Sequence, residues 1–274
     1  MKNLIGVMAA LQPDKPSLGQ LKELGLACCQ LVSWAPELWT EDRALGIRDE
    51  AQKERVKITG LWAGWSGPKK WNFTEGPTTL GLVPDAYRRP RVEELKRAGD
   101  FAKKIGTQSV ITHLGFIPEN PTDPLFADVV TAVRMVAQHL ETLGLEFWFE
   151  TGQETPVTLL RLIQAVGTSN LGINLDPANL ILYGKANPID ALEVFGKHVK
   201  NIHAKDGLYP TDPMKLGHEV QVGEGRVRFP EFVQRLHAIG FTGEFIIERE
   251  ISGDQQRKDI AATVLYLQTL LNQH

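Results

Sequence analysis

The chain has 274 residues, of which 42% are hydrophobic and 23% are charged, and its formal net charge is −3. This composition is typical of a soluble globular protein with a continuous core, and it excludes disorder along the whole chain. The weak negative charge gives no general attraction for nucleic acid, and no apolar run reaches the ~20 residues of a membrane span. We therefore expect neither nucleic acid nor a membrane as a partner.

The beginning of the chain and the cysteines indicate a cytoplasmic protein. The apolar stretch in MKNLIGVMAALQPDK is too short for a signal peptide, and Asn3 and Gly6 interrupt it. The two cysteines, Cys28 and Cys29, are adjacent within an apolar run. They offer neither a spaced disulfide framework nor zinc-binding spacing, which is typical of a reducing compartment.

Short β-rich segments alternate with helical patterns from end to end, which is the pattern of βαβ units around a parallel sheet. Each segment is a nearly continuous apolar run, as expected for strands that are buried on both faces. We predict eight strands, near residues 3–9, 27–33, 57–63, 109–115, 146–151, 171–176, 199–204 and 243–249.

Helical periodicity fills the intervals, most clearly at 88–105, 124–143 and 254–272. Glycines stand where helices commonly end in a left-handed residue, at Gly106, Gly144 and Gly240. Eight alternating units without a break in composition predict one α/β domain over residues 1–274, a (β/α)₈ TIM barrel. An open doubly wound sheet is the alternative, but no GxGxxG follows the first strand, so a Rossmann dinucleotide site has no support.

Two connections are longer than a barrel needs, 64–87 after the third strand and 205–229 after the seventh. Both follow strands, so they belong to the face where barrel active sites are built. The aromatic residues of the first connection either wall a substrate pocket or pin the loop to the barrel: Trp62, Trp65, Trp71 and Phe73. Short basic runs nearby are interpreted as solvated faces rather than binding patches: Lys69 and Lys70, and Arg88, Arg89 and Arg91.

Four predicted strands carry a charged or metal-binding side chain at the C-terminal end, where a buried strand is otherwise apolar. These are Glu150 in EFWFETG, Asp176 in LGINLDPAN, His203 in VKNIHAKD and Glu248 in GEFIIERE. Three carboxylates at one end of a narrow barrel would repel each other and take up protons unless a cation stood between them. We therefore predict one divalent metal ion on these four residues, with Mn²⁺ or Mg²⁺ favoured and Co²⁺ or Zn²⁺ also compatible.

The other histidines differ in position. His113 ends the fourth strand, SVITHLGF, at the same mouth, where it is either a satisfied core histidine or a group that hydrogen-bonds substrate or orients a ligand. The rest are expected at the surface, because they fall in helical patterns, a loop or the chain end: His139, His198, His218, His237 and His274.

An ordered set of segments resembles the sugar phosphate isomerase/epimerase superfamily, the xylose isomerase-like barrels. The segments are THLG (112–115), FETG (149–152), NLDPANL (174–180), NIHAKDG (201–207), VGEGRVRFPEF (222–232) and IIERE (246–250). The resemblance covers almost the whole chain. It implies a single-metal site on Glu150, Asp176, His203 and Glu248, and an activity on sugars, ketoses or related polyols.

The chain departs from some members of this superfamily. Ketose 3-epimerases usually carry a histidine and an arginine where this sequence has Asn179 and Tyr209. Lys205 and Asp206 instead resemble the His-x-Lys-Asp pattern of other members, including some isomerases and inosose dehydratases. Endonuclease IV also resembles the superfamily, but its three-zinc cluster needs more histidines than His113 and His203 supply, so DNA repair is not expected.

The expected reaction is proton abstraction from a carbon next to a carbonyl, through a cis-enediolate, with Glu150 and Glu248 removing and returning the proton. Return to the same carbon gives epimerisation, and return to its neighbour gives isomerisation. Glu250 competes with Glu248 for this role, because residues two apart share one face of a strand. The candidate substrate-binding residues are His113, Lys205, Trp62, Asn179 and Glu250.

Two alternatives remain at this stage. A metal-dependent lyase or dehydratase acting on a keto-sugar or inosose is favoured if His113 or Lys205 lies opposite the base as a general acid. A catalytically inactive sugar-binding barrel is the other, although an unused cluster of buried charge is costly to keep. In each case the partner is a small-molecule sugar or polyol, and a homo-oligomer is compatible with the sequence.

Overall fold

A computed structural model describes residues 3–13 and 18–272 of the chain. Its strands are β1 (Ile5–Ala10), β2 (Cys28–Ser33), β3 (Lys57–Ala63), β4 (Ser109–His113), β5 (Glu146–Glu150), β6 (Leu171–Leu175), β7 (Val199–Ala204), β8 (Asp206–Leu208), β9 (His218–Val220) and β10 (Phe245–Ile247). Its α-helices are α1 (Gln20–Glu23), α2 (Glu41–Glu54), α3 (Gly76–Thr79), α4 (Asp85–Ile105), α5 (Pro124–Thr142), α6 (Pro156–Val166), α7 (Pro177–Leu182), α8 (Pro188–Phe195), α9 (Phe229–Ala238) and α10 (Asp254–Leu271).

Eight parallel strands close into a barrel in the order β1-β10-β7-β6-β5-β4-β3-β2. The barrel closes because β1 pairs in parallel with both β2 and β10. This confirms the predicted (β/α)₈ barrel, and the open doubly wound sheet is wrong. Within the described ranges, no helix has the length and apolar character needed to cross a membrane.

Helix ends agree closely with the sequence pattern. The predicted helices at 124–143 and 254–272 are α5 and α10, and the one at 88–105 begins three residues earlier as α4. Gly106, Gly144 and Gly240 have φ angles of 90°, 70° and 76°. They therefore adopt the left-handed conformation that ends a helix and that glycine tolerates best.

Some predicted strands are too long at their C-terminal ends. β6 stops at Leu175 because Asp176 becomes the N-cap residue of α7, and β10 stops at Ile247, directly before Glu248. The two carboxylates thus lie just beyond their strands. This position lets their side chains turn over the barrel axis instead of following the alternation of the pleat.

The connection after β7 has structure of its own, contrary to the prediction of a plain loop over 205–229. β8 and β9 form an antiparallel hairpin within it. The carboxylate of Asp206 accepts hydrogen bonds of 2.9 to 3.0 Å from four backbone N–H groups, those of Gly207, Gly223, Gly225 and Val227. Asp206 therefore holds this connection in place and is directed away from the metal-ligand candidates.

The connection after β3 is fastened by Arg91 of α4. Its side chain is 1% exposed and donates hydrogen bonds of 2.7 to 2.9 Å to the carbonyl oxygens of Pro68, Thr79 and Gly81. Arg91 is thus neither a binding patch nor part of a solvated face. The interpretation of the run 88–91 as a solvated face is wrong for this residue, because its donors satisfy carbonyls that would otherwise be buried without partners.

We expect Arg91→Met to lower the free energy of unfolding by about 3 kcal/mol, because each buried carbonyl left without a donor costs about 1–3 kcal/mol. Urea titration followed by circular dichroism measures the change. Arg89→Met is the matched control, since Arg89 lies on the same helix and is exposed. Equal destabilisation by the two substitutions would contradict this role for Arg91.

Candidate metal centre

The four predicted ligands meet at the C-terminal mouth of the barrel. One ligand atom from each of Glu150, Asp176, His203 and Glu248 lies within 4.8 Å of the others. The residues come from β5, β6, β7 and β10, which are consecutive neighbours in the barrel. Three of them are at most 3% exposed, and the side chain of Glu248 is 16% exposed. The structure therefore brings together, in one buried place, all four side chains that the sequence pattern selected.

Asp176 is directed into this cluster by its position at the start of α7. One carboxylate oxygen, Oδ1, accepts a hydrogen bond of 2.9 Å from the backbone N–H of Asn179, which leaves Oδ2 facing the other ligands. Thr151 fixes the same residue from β5: its hydroxyl donates to the Asp176 carbonyl oxygen (2.8 Å) and accepts from the Asp176 N–H (2.9 Å). The ends of β5 and β6 are thereby tied together.

His203 is oriented from below by Gln30 of β2. The imidazole Nε2 lies 2.8 Å from Gln30 Oε1, so Nε2 carries the proton and donates it. Nδ1 then faces upward, 3.3 Å from Glu150 Oε1 and 3.0 Å from Glu248 Oε2. The amide of Gln30 is itself fixed, because its Nε2 donates to Asn174 Oδ1 at 3.0 Å.

Asn201 completes this amide network by donating to the same Asn174 oxygen at 2.6 Å. Gln30, Asn174 and Asn201 are not among the residues predicted from the sequence. The signal was present as single amides inside the apolar strand segments CQLV and GINL, and as an amide next to Lys200 in VKNI. A polar side chain at such a position is fully buried and must be hydrogen-bonded, so it indicates a support for a site above it.

The pKa values of the cluster are shifted because its ionisable groups are buried and lie close together. Burial raises the pKa of Asp176 to about 7, with further contributions from the charges of Glu248 and Glu150. Burial acts against a charged His203, but Glu150 and Glu248 outweigh it and hold the pKa of His203 well above its usual value. Burial likewise opposes ionisation of Glu150, and the charges of His203 and His113 lower its pKa well below the usual range.

The residues fit a divalent cation. Asp176 Oδ2 and His203 Nδ1 are buried and make no hydrogen bond of normal geometry within the described part of the chain. A charged group nevertheless lies close to each, since Lys205 Nζ is 3.5 Å from Asp176 Oδ2 and Glu248 Oε2 is 3.0 Å from His203 Nδ1. Three carboxylates and one imidazole form a donor set that suits a divalent cation. A cation at their centre would satisfy both atoms and would compensate the mutual repulsion of the carboxylates.

Lys205 and Asn179 lie beside the cluster as internal links. The Lys205 ammonium is 2% exposed and lies 3.5 Å from Asp176 Oδ2, 3.5 Å from Glu248 Oε2 and 3.1 Å from Glu250 Oε2. Asn179 donates to Glu150 Oε1 and accepts from Lys205, both at 3.3 Å. Glu250 itself is at the rim, with a side chain that is 59% exposed.

His113 and Trp62 flank Glu150 on its other side. His113 Nδ1 donates to the Glu150 carbonyl oxygen at 3.1 Å, and its Nε2 lies 3.4 Å from Glu150 Oε1. The indole N–H of Trp62 donates to Glu150 Oε2. Both carboxylate oxygens of Glu150 are therefore held in fixed directions. The other described histidines lie away from this site, and none is buried; His274 lies outside the described residues.

A cavity of about 460 Å³ opens above the cluster. Trp62 and Trp71 line it, whereas Trp65 is 1% exposed and packs beneath the loop, so these aromatic residues divide between the two predicted roles. Phe73 contacts the ring of Tyr183, with centroids 6.2 Å apart. Sequence analysis missed Trp34, which follows β2 and also lines the cavity.

Glu154 is a further buried carboxyl group that sequence analysis missed. It is 2% exposed, and neither of its oxygens has a hydrogen-bond partner among the described residues. Burial raises its pKa to about 7. The signal was a second glutamate in ETGQET, directly after the strand that carries Glu150.

We expect the metal-depleted protein to bind one divalent cation per chain and to melt at a higher temperature as the cation is added, by mass action. Asp176→Asn and His203→Ala should each weaken binding by roughly 100-fold, as loss of a metal-orienting or ligating group commonly does. Calorimetric titration with Mn²⁺ measures this. His139→Ala is the control, because His139 pairs with Asp100 on the outer helices; a similar loss there would point to general destabilisation.

Gln30→Met should weaken cation binding about tenfold, because it removes the acceptor that fixes His203. Gln30→Glu keeps an acceptor for His203 but loses the donor to Asn174 Oδ1, so its affinity should lie between those of Gln30→Met and the unchanged protein. The measurement is the dissociation constant for Mn²⁺, alongside the melting temperature of each metal-free variant. Lower melting with an unchanged dissociation constant in Gln30→Met would mean that Gln30 supports only the barrel.

Proteins of known structure share the fold of this chain. A xylose isomerase domain protein from Planctomyces limnophilus is 34% identical, with a TM-score of 0.93 over 98% of both chains. A D-tagatose 3-epimerase-like protein (20% identical, TM-score 0.75, 99% and 97% of the two chains) has the same fold. A xylose isomerase-like TIM barrel protein from Mycobacterium smegmatis, in complex with magnesium, also has this fold (19% identical, TM-score 0.72, 98% and 96% of the two chains).

The chain spans 59% and 45% of the lengths of two curated relatives that it matches. The family model described as xylose isomerase-like TIM barrel matches residues 18–270. Since this match covers most of the sequence and includes all four candidate ligands, the chain belongs to the xylose isomerase-like TIM barrel family.

Proposed function

We propose that this protein is a divalent-metal-dependent isomerase or epimerase of sugars, which moves a proton on a carbon next to a carbonyl group. The observation that carries the proposal is the pair of carboxylates, Glu150 and Glu248, at the two ends of the ligand row. The strands that position them, β5 and β10, are separated in the barrel by β6 and β7. The two carboxylates therefore approach a substrate from different sides.

The cation would be held by Glu150, Asp176, His203 and Glu248. Mn²⁺ or Mg²⁺ suits this oxygen-rich set best, ahead of Co²⁺ or Zn²⁺, and the magnesium complex of the Mycobacterium smegmatis protein is consistent with that choice. When bound, such an ion supplies a Lewis acid that polarises a carbonyl oxygen.

The chain's own groups account for the proton transfer. One carboxylate accepts the proton from carbon, and a carboxylate on the opposite side returns a proton either to the same carbon or to its neighbour. Trp62, Asn179 and His113 restrain Glu150, so its oxygens are fixed before substrate binds. Preorganisation of this kind avoids reorganisation at the moment of reaction.

Two observations separate this protein from ketose 3-epimerases. Asn179 stands where those enzymes carry a histidine, and it links Glu150 to Lys205. Tyr209 stands in the place of their arginine; it is 41% exposed, and its hydroxyl donates to the Ala186 carbonyl oxygen at 3.3 Å. These residues favour a substrate or a reacting carbon different from that of a ketose 3-epimerase.

A lyase or dehydratase needs a free general acid near the departing hydroxyl. Lys205 suits that role poorly, because it is buried, pairs with three carboxylates and does not line the cavity within the described part of the chain. Both ring nitrogens of His113 are already engaged with Glu150, Nδ1 with its carbonyl oxygen at 3.1 Å and Nε2 with its carboxylate at 3.4 Å. An isomerase or epimerase is therefore favoured over a lyase, and the buried charge argues against an inactive binding barrel.

The test is turnover in deuterated water with Mn²⁺-loaded protein and a panel of ketoses, keto-sugars and inososes. We expect solvent deuterium next to the carbonyl of the product. Glu150→Gln and Glu248→Gln should each lower the exchange rate by about 100-fold or more, in the range that a general base contributes. Glu250→Gln is the matched control, since that carboxylate lies at the exposed rim.

Other outcomes would change the proposal in defined ways. Exchange that persists in Glu248→Gln but disappears in Glu250→Gln would move the second carboxylate by two residues. Product that contains no solvent deuterium would indicate a hydride shift or a shielded proton, and the two-carboxylate mechanism would then be wrong.

A further inference from the structure

The mouth of the barrel is divided into a charged half and an aromatic half. Four consecutive strands, β5, β6, β7 and β10, supply the candidate metal ligands. The other side is formed by an aromatic wall, defined here as Trp34, Trp62 and Trp71, which belong to β3 and to the segments that follow β2 and β3. The direct hydrogen bond from Trp62 to Glu150 joins the two halves.

The aromatic wall has a rigid support and an uncovered surface. The ring centroid of Trp34 lies 4.9 Å from that of Trp62 and 6.2 Å from that of Trp71. Behind them, the ring centroid of Trp65 lies 5.3 Å from that of Trp34. The hydrogen bonds that Arg91 donates to backbone carbonyl oxygens hold the connection after β3 that carries Trp71. Trp71 is nevertheless 39% exposed. A large apolar ring that is fixed and uncovered at the entrance of a polar site indicates a surface for a ligand.

The cavity is larger than one sugar requires. A hexose has roughly the volume of six water molecules at about 30 Å³ each, which is less than half of the cavity's 460 Å³. Besides the aromatic wall, further apolar side chains line the cavity, those of Met8, Val32 and Leu216. A monosaccharide at the ligand cluster would border Trp62 but would leave more than half of the cavity unfilled, with Trp71 still partly exposed.

The charges around the cavity disfavour a phosphorylated substrate. Glu150, Glu248 and Glu250 line the cavity, and among the described lining residues Lys69 is the one lysine or arginine. Its ammonium lies 4.9 Å above the ring of Trp34 at the outer edge. Lys205 already pairs with three carboxylates. A phosphate group bound here would lie beside three carboxylates, with Lys69 as the one cationic side chain among the described lining residues.

We propose that the substrate is an uncharged keto-sugar joined to a second sugar ring, with the keto-sugar at the four ligands and the second ring packed on the aromatic wall. This inference rests on the proposed function for the position of the carbonyl. The second ring presents its C–H face to the indoles and its hydroxyl groups to solvent, which suits a wall that is apolar but open. Specificity then comes from Trp34 and Trp71 and not from the metal site.

Binding to the Mn²⁺-loaded protein is measured by calorimetry for D-fructose, D-fructose 6-phosphate and three glucosyl-fructoses, turanose, maltulose and isomaltulose, which differ in the linkage position. We expect at least one glucosyl-fructose to bind tenfold or more tightly than fructose, a gain that burial of the apolar face of one sugar ring on an indole can supply. Fructose 6-phosphate should bind no better than fructose.

Variants of the aromatic wall connect that gain to specific residues. Trp71→Ala should remove the advantage of the glucosyl-fructose over fructose, and Trp71→Phe should retain most of it, with melting temperature and Mn²⁺ affinity unchanged in both. Leu265→Ala is the matched control, since Leu265 is 66% exposed on the outer face of α10, and it should leave all affinities unchanged.

The inference is overturned if none of the three glucosyl-fructoses binds more tightly than fructose, if fructose 6-phosphate binds best, or if the gain persists in Trp71→Ala. These outcomes differ from failure of the proposed function. A barrel that binds a glucosyl-fructose through Trp71 but exchanges no hydrogen with solvent would contradict the isomerase and leave the substrate class intact. If fructose exchanges hydrogen with solvent but no glucosyl-fructose binds more tightly than fructose, the isomerase would stand and the proposed substrate class would be wrong.

Discussion

Glu150, Asp176 and Glu248 bring carboxylate oxygens within 4.8 Å of one another and of a His203 nitrogen, in a place that solvent barely reaches. Like charges at this separation and burial repel strongly. Without a cation, protons and Lys205 accommodate the repulsion: the pKa of Asp176 rises to about 7 and that of His203 is held well above its usual value. Some polar groups around the cluster supply positive charge, as Lys205 does, and others fix the direction of a candidate ligand, as Gln30 does for His203. These two roles explain why many polar side chains are buried around the mouth of the barrel.

A layer of amides beneath the candidate ligands fixes the direction of one of them, His203. Gln30, Asn174 and Asn201 form a chain of hydrogen bonds across β2, β6 and β7, and that chain ends on His203 Nε2. Because the barrel is closed and its strands are parallel, these amides lie one layer below the ligands on the same axis. Because the pairing of the strands fixes the positions of these amides, the amides in turn fix the orientation of the His203 imidazole. The hydrogen bonds between Thr151 and Asp176 fix the position of the neighbouring Asp176 in a similar way.

The loops above the barrel give this member of the family its particular site. Arg91 fastens the connection after β3 and thereby positions Trp71, while Asp206 fastens the connection after β7 through four backbone N–H groups. Neither residue touches the ligand cluster. In this barrel, therefore, some buried charged residues hold a loop and take no part in the candidate site. The shape of the cavity depends on these loop-holding residues as well as on the residues that line it.

The sequence by itself determined the architecture and selected the four candidate ligands that the structure brings together. The order of strands and helices can be predicted from local sequence, because apolar runs alternate with segments of helical periodicity. Four polar residues stand out because each interrupts or ends an apolar run: Glu150, Asp176, His203 and Glu248. Long-range geometry decided the rest. Gln30 and Asn174 are 144 residues apart in the chain, and Arg91 reaches carbonyls 10 to 23 residues away, so no local pattern could assign their partners. Trp34 and Trp71 become one wall only when β2 and β3 pair and the loop folds over them, because contact between distant side chains is a property of the closed barrel and not of either segment.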